Sequence, residues 1–251
     1  MDAPSDSLRD VYERRGEVEY PEPVVPDPAL DRKFEVLVGA IRERLPVGAY
    51  LDAGCGDGRY LAALPGLGPL PQRVVGVDIA ESILATARRA TAQAGFEPEL
   101  VRANLERLPL GDAEFDLVIS IQVLEHLLDP AAGLRELARV LKPGGTLVLS
   151  TDNRHKLITK TLNAPRWALA GLLGKRNWRD LFTFPHSDFT RSELTGLMFD
   201  AGLEVEWART FRFSLVGASP RVRQLFNRVD RRLPDFGVGD LLLVVAHRPS
   251  A

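Results

Sequence analysis

Residues 50–62, YLDAGCGDGRYLA, set three glycines and two aspartates between an apolar run and a segment able to open a helix. Glycine reaches backbone conformations with positive φ and lets a ligand approach the main chain, so the stretch predicts strand, tight turn and helix. Gly54, Gly56 and Gly58 follow the spacing G-x-G-x-G, not the G-x-G-x-x-G that brings a pyrophosphate onto a helix N-terminus. Asp57 inside the turn would also repel a phosphate. Twenty residues beyond Gly58, Asp78 closes a second apolar run, RVVGVDIA, where a carboxylate can accept hydrogen bonds from both hydroxyls of a ribose. Asp52, Asp78 and Asn104 each fall at the C-terminal end of consecutive predicted strands, the edge at which open parallel sheets bind ligands.

The rest of the chain repeats the alternation. Residues 1–28 are rich in Pro and Glu and predict an extended arm or flexible cover. A helix is expected from Asp27 as N-cap and Pro28 at the first position, with Leu30, Phe34, Leu37, Val38, Ile41 and Leu45 on one face. ESILATARRATAQAG predicts an amphipathic helix stopped by Gly95, PELVRAN and EFDLVISIQV two further strands, and PAAGLRELARVL a helix begun by Asp129 and Pro130. KPGG then leads into the strand TLVLST. Strands alternating with helices of this length predict an α/β, doubly wound, mainly parallel sheet.

After Thr151 the pattern changes, and residues of about 152–189 read as an insertion on the substrate side of a single domain spanning 29–251. Thr190 and Glu193 form a capping box with Phe189 and Leu194 as its staple, and LEVEWARTF and DLLLVVAHR are two late strands. Between Thr151 and Arg232 fifteen Lys plus Arg stand against eight Asp plus Glu, although the whole chain carries only −2. That local balance makes no general case for nucleic acid. With one cysteine, Cys55, no apolar leader and no run of the ~20 apolar residues that a span needs, the expectation is a cytoplasmic protein.

Taken together, LDAGCGDG, VVGVDIAESIL, RANLERLPLGDAEFDLVIS, VLEHLLDP and RVLKPGGTLVLST resemble the class I S-adenosylmethionine-dependent methyltransferases over roughly residues 49–151, and more loosely to the end. The resemblance implies a Rossmann-like methyltransferase fold of seven strands whose last strand is antiparallel, with S-adenosyl-L-methionine as cofactor. It implies that Asp52 and the backbone of Gly54, Gly56 and Gly58 surround the methionine part and that Asp78 binds the ribose. Ile79 then flanks the adenine, Asn104 with the Leu105 backbone reads its edge, and Gln122 joins the cofactor contacts. Many members carry Asp where this chain has Asn104, whose carbonyl supplies the same acceptor. A sulfonium is a cation without phosphate, so acidic residues near the loop help where they would hurt a dinucleotide.

A hydroxyl acceptor calls for a base, and His126, just beyond the fourth strand, is the first candidate, with His186 the second. His155 and His247 read as surface residues. A closer resemblance, in VLEHLLDP, STDNRHKLITKTL and the F-x-x-x-E-L helix start, is to ubiquinone-biosynthesis O-methyltransferases. Some of these hold a divalent metal with a Glu three residues before the Glu-His pair. Gln122 occupies that position, which removes an anionic ligand, so no metal is assigned. The expectation is methylation of a small molecule, at oxygen. The alternatives are C- or N-methylation of a small or lipid-like molecule, or a cofactor-binding partner subunit without catalysis. The basic, tryptophan-containing residues 154–182 are a candidate contact for a hydrophobic substrate or a membrane surface. No Asn/Asp-Pro-Pro-aromatic motif for base methylation follows the fourth strand.

Overall fold

The computed structural model describes residues 9–14, 22–28, 31–156, 161, 186–212 and 219–250. Seven strands form one sheet: β1 (Ala49–Ala53), β2 (Arg73–Asp78), β3 (Glu99–Arg102), β4 (Phe115–Ile121), β5 (Leu141–Asp152), β6 (Glu204–Phe211) and β7 (Leu241–His247). Their spatial order is β3-β2-β1-β4-β5-β7-β6. β1 pairs parallel with both β2 and β4, while β7 runs antiparallel to β5 and β6, as with Ser150↔Leu243 and Ala208↔Val244. The chain builds outward from β1 to β3 and then returns to β4 on the other side of β1. That reversal opens a crevice at the carboxyl ends of β1 and β4, where ligands of such sheets bind.

Both faces of the sheet are covered, which is why its strands read as nearly continuous apolar runs. Alternate residues of β7 go to opposite cores: Leu242, Val244 and Ala246 pack with Leu134, Leu137 and Met198, whereas Leu241, Leu243 and Val245 pack with Leu37, Ile41 and Leu84. The covering helices are α1 (Arg32–Arg42), α2 (Arg59–Ala63) and α3 (Glu81–Gln93) on one side, and α4 (Pro130–Val140) and α5 (Arg191–Asp200) on the other. Each fully buried leucine or isoleucine here contributes about 1.5–3 kcal/mol relative to exposure.

Local chemistry sets most helix ends where the sequence placed them. Asp129 caps α4 through the Ala132 N–H with Pro130 at the first position, Gly95 takes φ +85 just past α3, and Thr190 and Glu193 close the reciprocal capping box of α5. The expected cap of α1 is corrected: the helix starts four residues later, where the Asp31 carboxylate accepts the Phe34 N–H at 3.1 Å. A sixth helix, α6 (Pro220–Asp230), begins at the Ser219 cap. Residues 9–14 are helical, which corrects the extended arm expected there.

The ends of the expected insertion are pinned together. Phe189 N–H donates to Asp152 C=O at 3.1 Å and Arg154 N–H to Phe189 C=O at 2.8 Å. The apolar and tryptophan residues between them, Leu157 to Trp178, on which a membrane or hydrophobic-substrate contact was expected, lie outside the described residues. Among the described residues no helix is long and apolar enough to cross a membrane.

Candidate functional site

A cavity of about 280 Å³ opens at the crevice between β1 and β4. Its floor is the glycine turn, which is tied to β2 by the Gly54 and Cys55 N–H groups, both donating to Val77 C=O at 2.8 Å. Gly56, at φ +55, lines the cavity, and a Cβ built there would meet nothing within 4 Å, so its bare backbone faces open space. Gly58, at φ +78, serves packing instead, since a Cβ there would lie 2.8 Å from Ala87 Cα and would hold the turn away from α3. It does not line the cavity, and the cofactor contact expected of it becomes a packing role.

The three aspartates of the site separate sharply. Asp78 lines the cavity, with Oδ2 accepting the Gly56 N–H at 3.0 Å and Oδ1 the Ala80 N–H at 3.1 Å. Withdrawal from water pushes its carboxyl up to about 6 against these hydrogen bonds. Asp57 is clasped by Arg59 through Nε and Nη2 at 2.8 and 2.6 Å, so the negative charge expected of the turn is offset within it. Asp52 is 1% exposed, does not line the cavity, and its carboxyl is driven far above the ordinary range by burial and by Asp78. Both of its carboxyl oxygens are buried without a hydrogen-bond partner among the described residues. Among the described residues that line the cavity, Asp78 is the acidic side chain without a salt bridge. A carboxylate with unused lone pairs beside a bare glycine backbone fits a ribose-bearing ligand that lacks phosphate.

Ile79, Asn104 and Leu105 also line the cavity. Asn104 Oδ1 accepts the Glu106 N–H at 2.9 Å, which fixes the amide and leaves one lone pair on the oxygen. Across the cavity Gln122 ends β4 in the left-handed region, φ +58, with its N–H bonded to Ser150 C=O. Such a conformation in a residue other than glycine costs about 1–3 kcal/mol and is kept where surrounding structure over-determines it. Gln122 Oε1 receives Lys33 Nζ at 3.4 Å, a long contact for an ammonium. Burial, then Arg212, lowers the Lys33 amine to about 8.

His126 lines the cavity from a 3-10 turn (Leu124–His126) that follows β4. Its neighbour Glu125 is buried and turned away, accepting the Thr151 hydroxyl at 2.8 Å, with its carboxyl pushed up to about 7 by burial and by Asp152. Behind His126, with ring centroids 5.3 Å apart, stands His186. Its Nε2 lies 3.2 Å from Asp152 and 3.3 Å from Asp188, and hydrogen bonds to these two raise its pKa to about 9. His186 is therefore an imidazolium at neutral pH and does not line the cavity, which corrects its candidacy as a base. Asp152, His186 and Asp188 have the spacing of a metal cluster, but Lys156 Nζ already sits 2.8 Å from both carboxylates. His155 is exposed, and His247 pairs with Glu204 on the outer strands.

Sequence reasoning missed Tyr12, Lys33, Arg59 and Tyr60 in the cavity wall. Tyr12 and Lys33 come from segments read as cover and as amphipathic helix, and nothing in their local pattern marks a side chain that turns toward a remote turn.

Residues 51–149 match the family described as "Methyltransferase domain". A Mycolicibacterium smegmatis protein named "Probable S-adenosylmethionine-dependent methyltransferase" is 34% identical over 175 residues, 70% of this chain and 59% of its own length. The ubiquinone biosynthesis O-methyltransferase of Dinoroseobacter shibae is 35% identical over 156 residues, 61% of this chain and 59% of its own. The chain thus spans under two thirds of the length of these relatives. The solved S-adenosylmethionine-dependent methyltransferase of Mesorhizobium loti shares the fold, with a TM-score of 0.60 and 22% identity over 88% of this chain and all of that one.

Proposed function

This chain belongs to the class I S-adenosylmethionine-dependent methyltransferases, and from that premise we propose that it methylates a hydroxyl of a small molecule. S-adenosyl-L-methionine supplies an electrophilic methyl on a sulfonium. The observation that carries the reading is that one cavity is lined by Asp78, at the end of β2, and by His126, in the turn after β4, on either side of β1 and its glycine turn. Asp78 would hold the ribose and Asn104, Ile79 and Leu105 the adenine on the β2–β3 side, which leaves His126, beyond β4, for the acceptor. There the His126 imidazole would take the hydroxyl proton as the acceptor oxygen bonds the methyl carbon and the carbon–sulfur bond breaks, its electron pair leaving with S-adenosylhomocysteine. Aligning the two reactants is worth up to about 7–11 kcal/mol, and the remaining walls serve that alignment and exclude water. Oxygen as the acceptor atom is supported by likeness to the ubiquinone-named relatives and by an imidazole in the wall. A lined acceptor end also favours an enzyme over a cofactor-binding subunit.

Calorimetry should find micromolar binding of S-adenosylmethionine and none of NADH, and a screen that starts with phenols and quinols should yield a methyl ether. Binding without turnover of any hydroxyl, amine or carbon acid would replace this reading with the partner-subunit one.

Lys33 adds a prediction. The Lys33 ammonium, half-buried in the cavity wall and with, among the described residues, a long contact to Gln122, suits an anionic ligand group, and the methionine carboxylate is the one that the cofactor offers. Lys33→Met is expected to weaken S-adenosylhomocysteine about tenfold, the worth of one charge-assisted bond. It should leave 5′-methylthioadenosine, which lacks the amino-acid part, unchanged. Equal loss for both ligands would refute the assignment.

A further inference from the structure

The helical residues 9–14 touch the site at two places. Glu13 reaches the start of α3, where Oε1 accepts the Glu81 N–H at 2.8 Å and Oε2 the Ser82 N–H at 2.9 Å. The Ser82 hydroxyl donates in return to the Glu13 carbonyl at 2.8 Å. α3 needs such an acceptor, because its own cap is Ala80, which offers no side-chain hydrogen bond. Open N–H groups and the helix dipole both favour a carboxylate there. Partial burial opposes the charge, yet the Ser82 and Glu81 groups hold the Glu13 carboxyl below its ordinary range. Tyr12, the preceding residue, lines the cavity and sets its ring edge-on to His126, with centroids 6.1 Å apart and planes at 67°. The segment therefore runs as a strap from the helix that follows Asp78 to the His126 imidazole.

We propose that Tyr12 is an acceptor-contacting residue and that Glu13 is the residue that positions it, by latching residues 9–14 onto α3. The acceptor half of this rests on the methyltransferase reading; the latch does not. Asp78 and Glu13 share one helix turn, since Asp78 takes the Ala80 N–H and Glu13 the next two. A ligand held by Asp78 and a closed strap thus order the same backbone, so each favours the other. The rings of Tyr12 and His126, with the His186 imidazolium behind, form a wall suited to a planar aromatic alcohol, because aromatic edges and faces attract one another. The acceptor class assigned is accordingly a phenol.

The test uses the full chain with S-adenosylhomocysteine as probe. Glu13→Ala and Tyr12→Ala should each raise the probe's dissociation rate about tenfold, with Glu13→Gln, which keeps a carbonyl acceptor, in between. Trypsin cleavage after Arg14 should be slowed by the probe in the native protein and no longer slowed in Glu13→Ala. Native dissociation rates in both alanine variants, or cleavage indifferent to the probe, would overturn the latch. For the phenol found by screening, Tyr12→Ala should raise KM with kcat largely kept; an unchanged KM would overturn the acceptor contact. Failure to turn over any phenol would strike the proposed function while leaving the dissociation and cleavage results to decide the latch.

Discussion

Replacing Asp78 with alanine is expected to weaken S-adenosylhomocysteine binding at least about a hundredfold, because two charge-assisted hydrogen bonds of about 1.5–3 kcal/mol each disappear. Among the described residues lining the cavity, Asp78 is the acidic one without a salt bridge, since Arg59 clasps Asp57, and Asp52 is buried behind the wall. Asp78 also orders the protein: it accepts the Gly56 and Ala80 N–H groups, so its loss loosens the glycine turn and the start of α3 together. Asp78→Asn separates the two effects, because an amide oxygen can keep one of those bonds without the charge. Titration calorimetry should therefore show the alanine variant weakest and the asparagine variant between it and the native protein. Native affinity in Asp78→Ala would remove the ribose assignment.

The same residue makes binding depend on pH, in a direction that can be worked out. Its carboxyl sits at about 6 in the folded protein, raised by burial above the ordinary aspartate value. For stability, a raised carboxyl contributes below its unfolded value and loses that contribution as pH rises through about 6. Ligand binding has the opposite sign, because ribose hydroxyls donate to the ionised form. Affinity should rise by less than about twofold from pH 8 to 7 as Lys33 gains its proton, and then fall, reaching about a tenfold loss at pH 5 if only the Asp78 carboxylate binds. Asp78→Asn should flatten that acid limb. A limb that survives the substitution would trace to another group.

The sheet and its ligand edge were legible in the sequence because they depend on local pattern. Apolar runs such as DLLLVVAHR become strands buried on both faces, and caps such as Asp129-Pro130 and Thr190…Glu193 act over three residues. Asp31 shows the limit of that logic: two aspartates stood four residues apart before the same apolar stripe, and the sequence signal of Asp27-Pro28 outweighed the one whose carboxylate meets Phe34. At the site, Gly56, Asp78, Ile79, Asn104, Leu105, Gln122 and His126 meet at the cavity because each ends a strand or follows one. Gly58, Asp52 and His186 fall away from it for reasons of packing, burial and charge pairing that span dozens of residues. Tyr12 and Lys33 were invisible for the same cause, since the residues they meet are His126 and Gln122, far off in the chain.

His126→Ala should lower kcat by about 10²- to 10⁴-fold, the range for a positioned general base. Affinity for S-adenosylhomocysteine should change by less than about twofold, because proton transfer concerns the acceptor and not the ribose or adenine contacts. The prediction depends on His126 being the imidazole that reaches the cavity, while His186 is kept protonated by Asp152 and Asp188 and Glu125 is committed to Thr151. Neither His186 nor Glu125 can substitute from its present place. The size of the loss should also follow the acceptor: a phenol whose hydroxyl is already ionised at the assay pH needs no base, so the deficit should shrink as the acceptor becomes more acidic. Measuring kcat for native and His126→Ala protein across phenols of decreasing pKa reads this out. A deficit that stays the same size across that series would mean that His126 shapes the acceptor end without moving a proton, and full turnover with the least acidic phenol would leave it a wall residue.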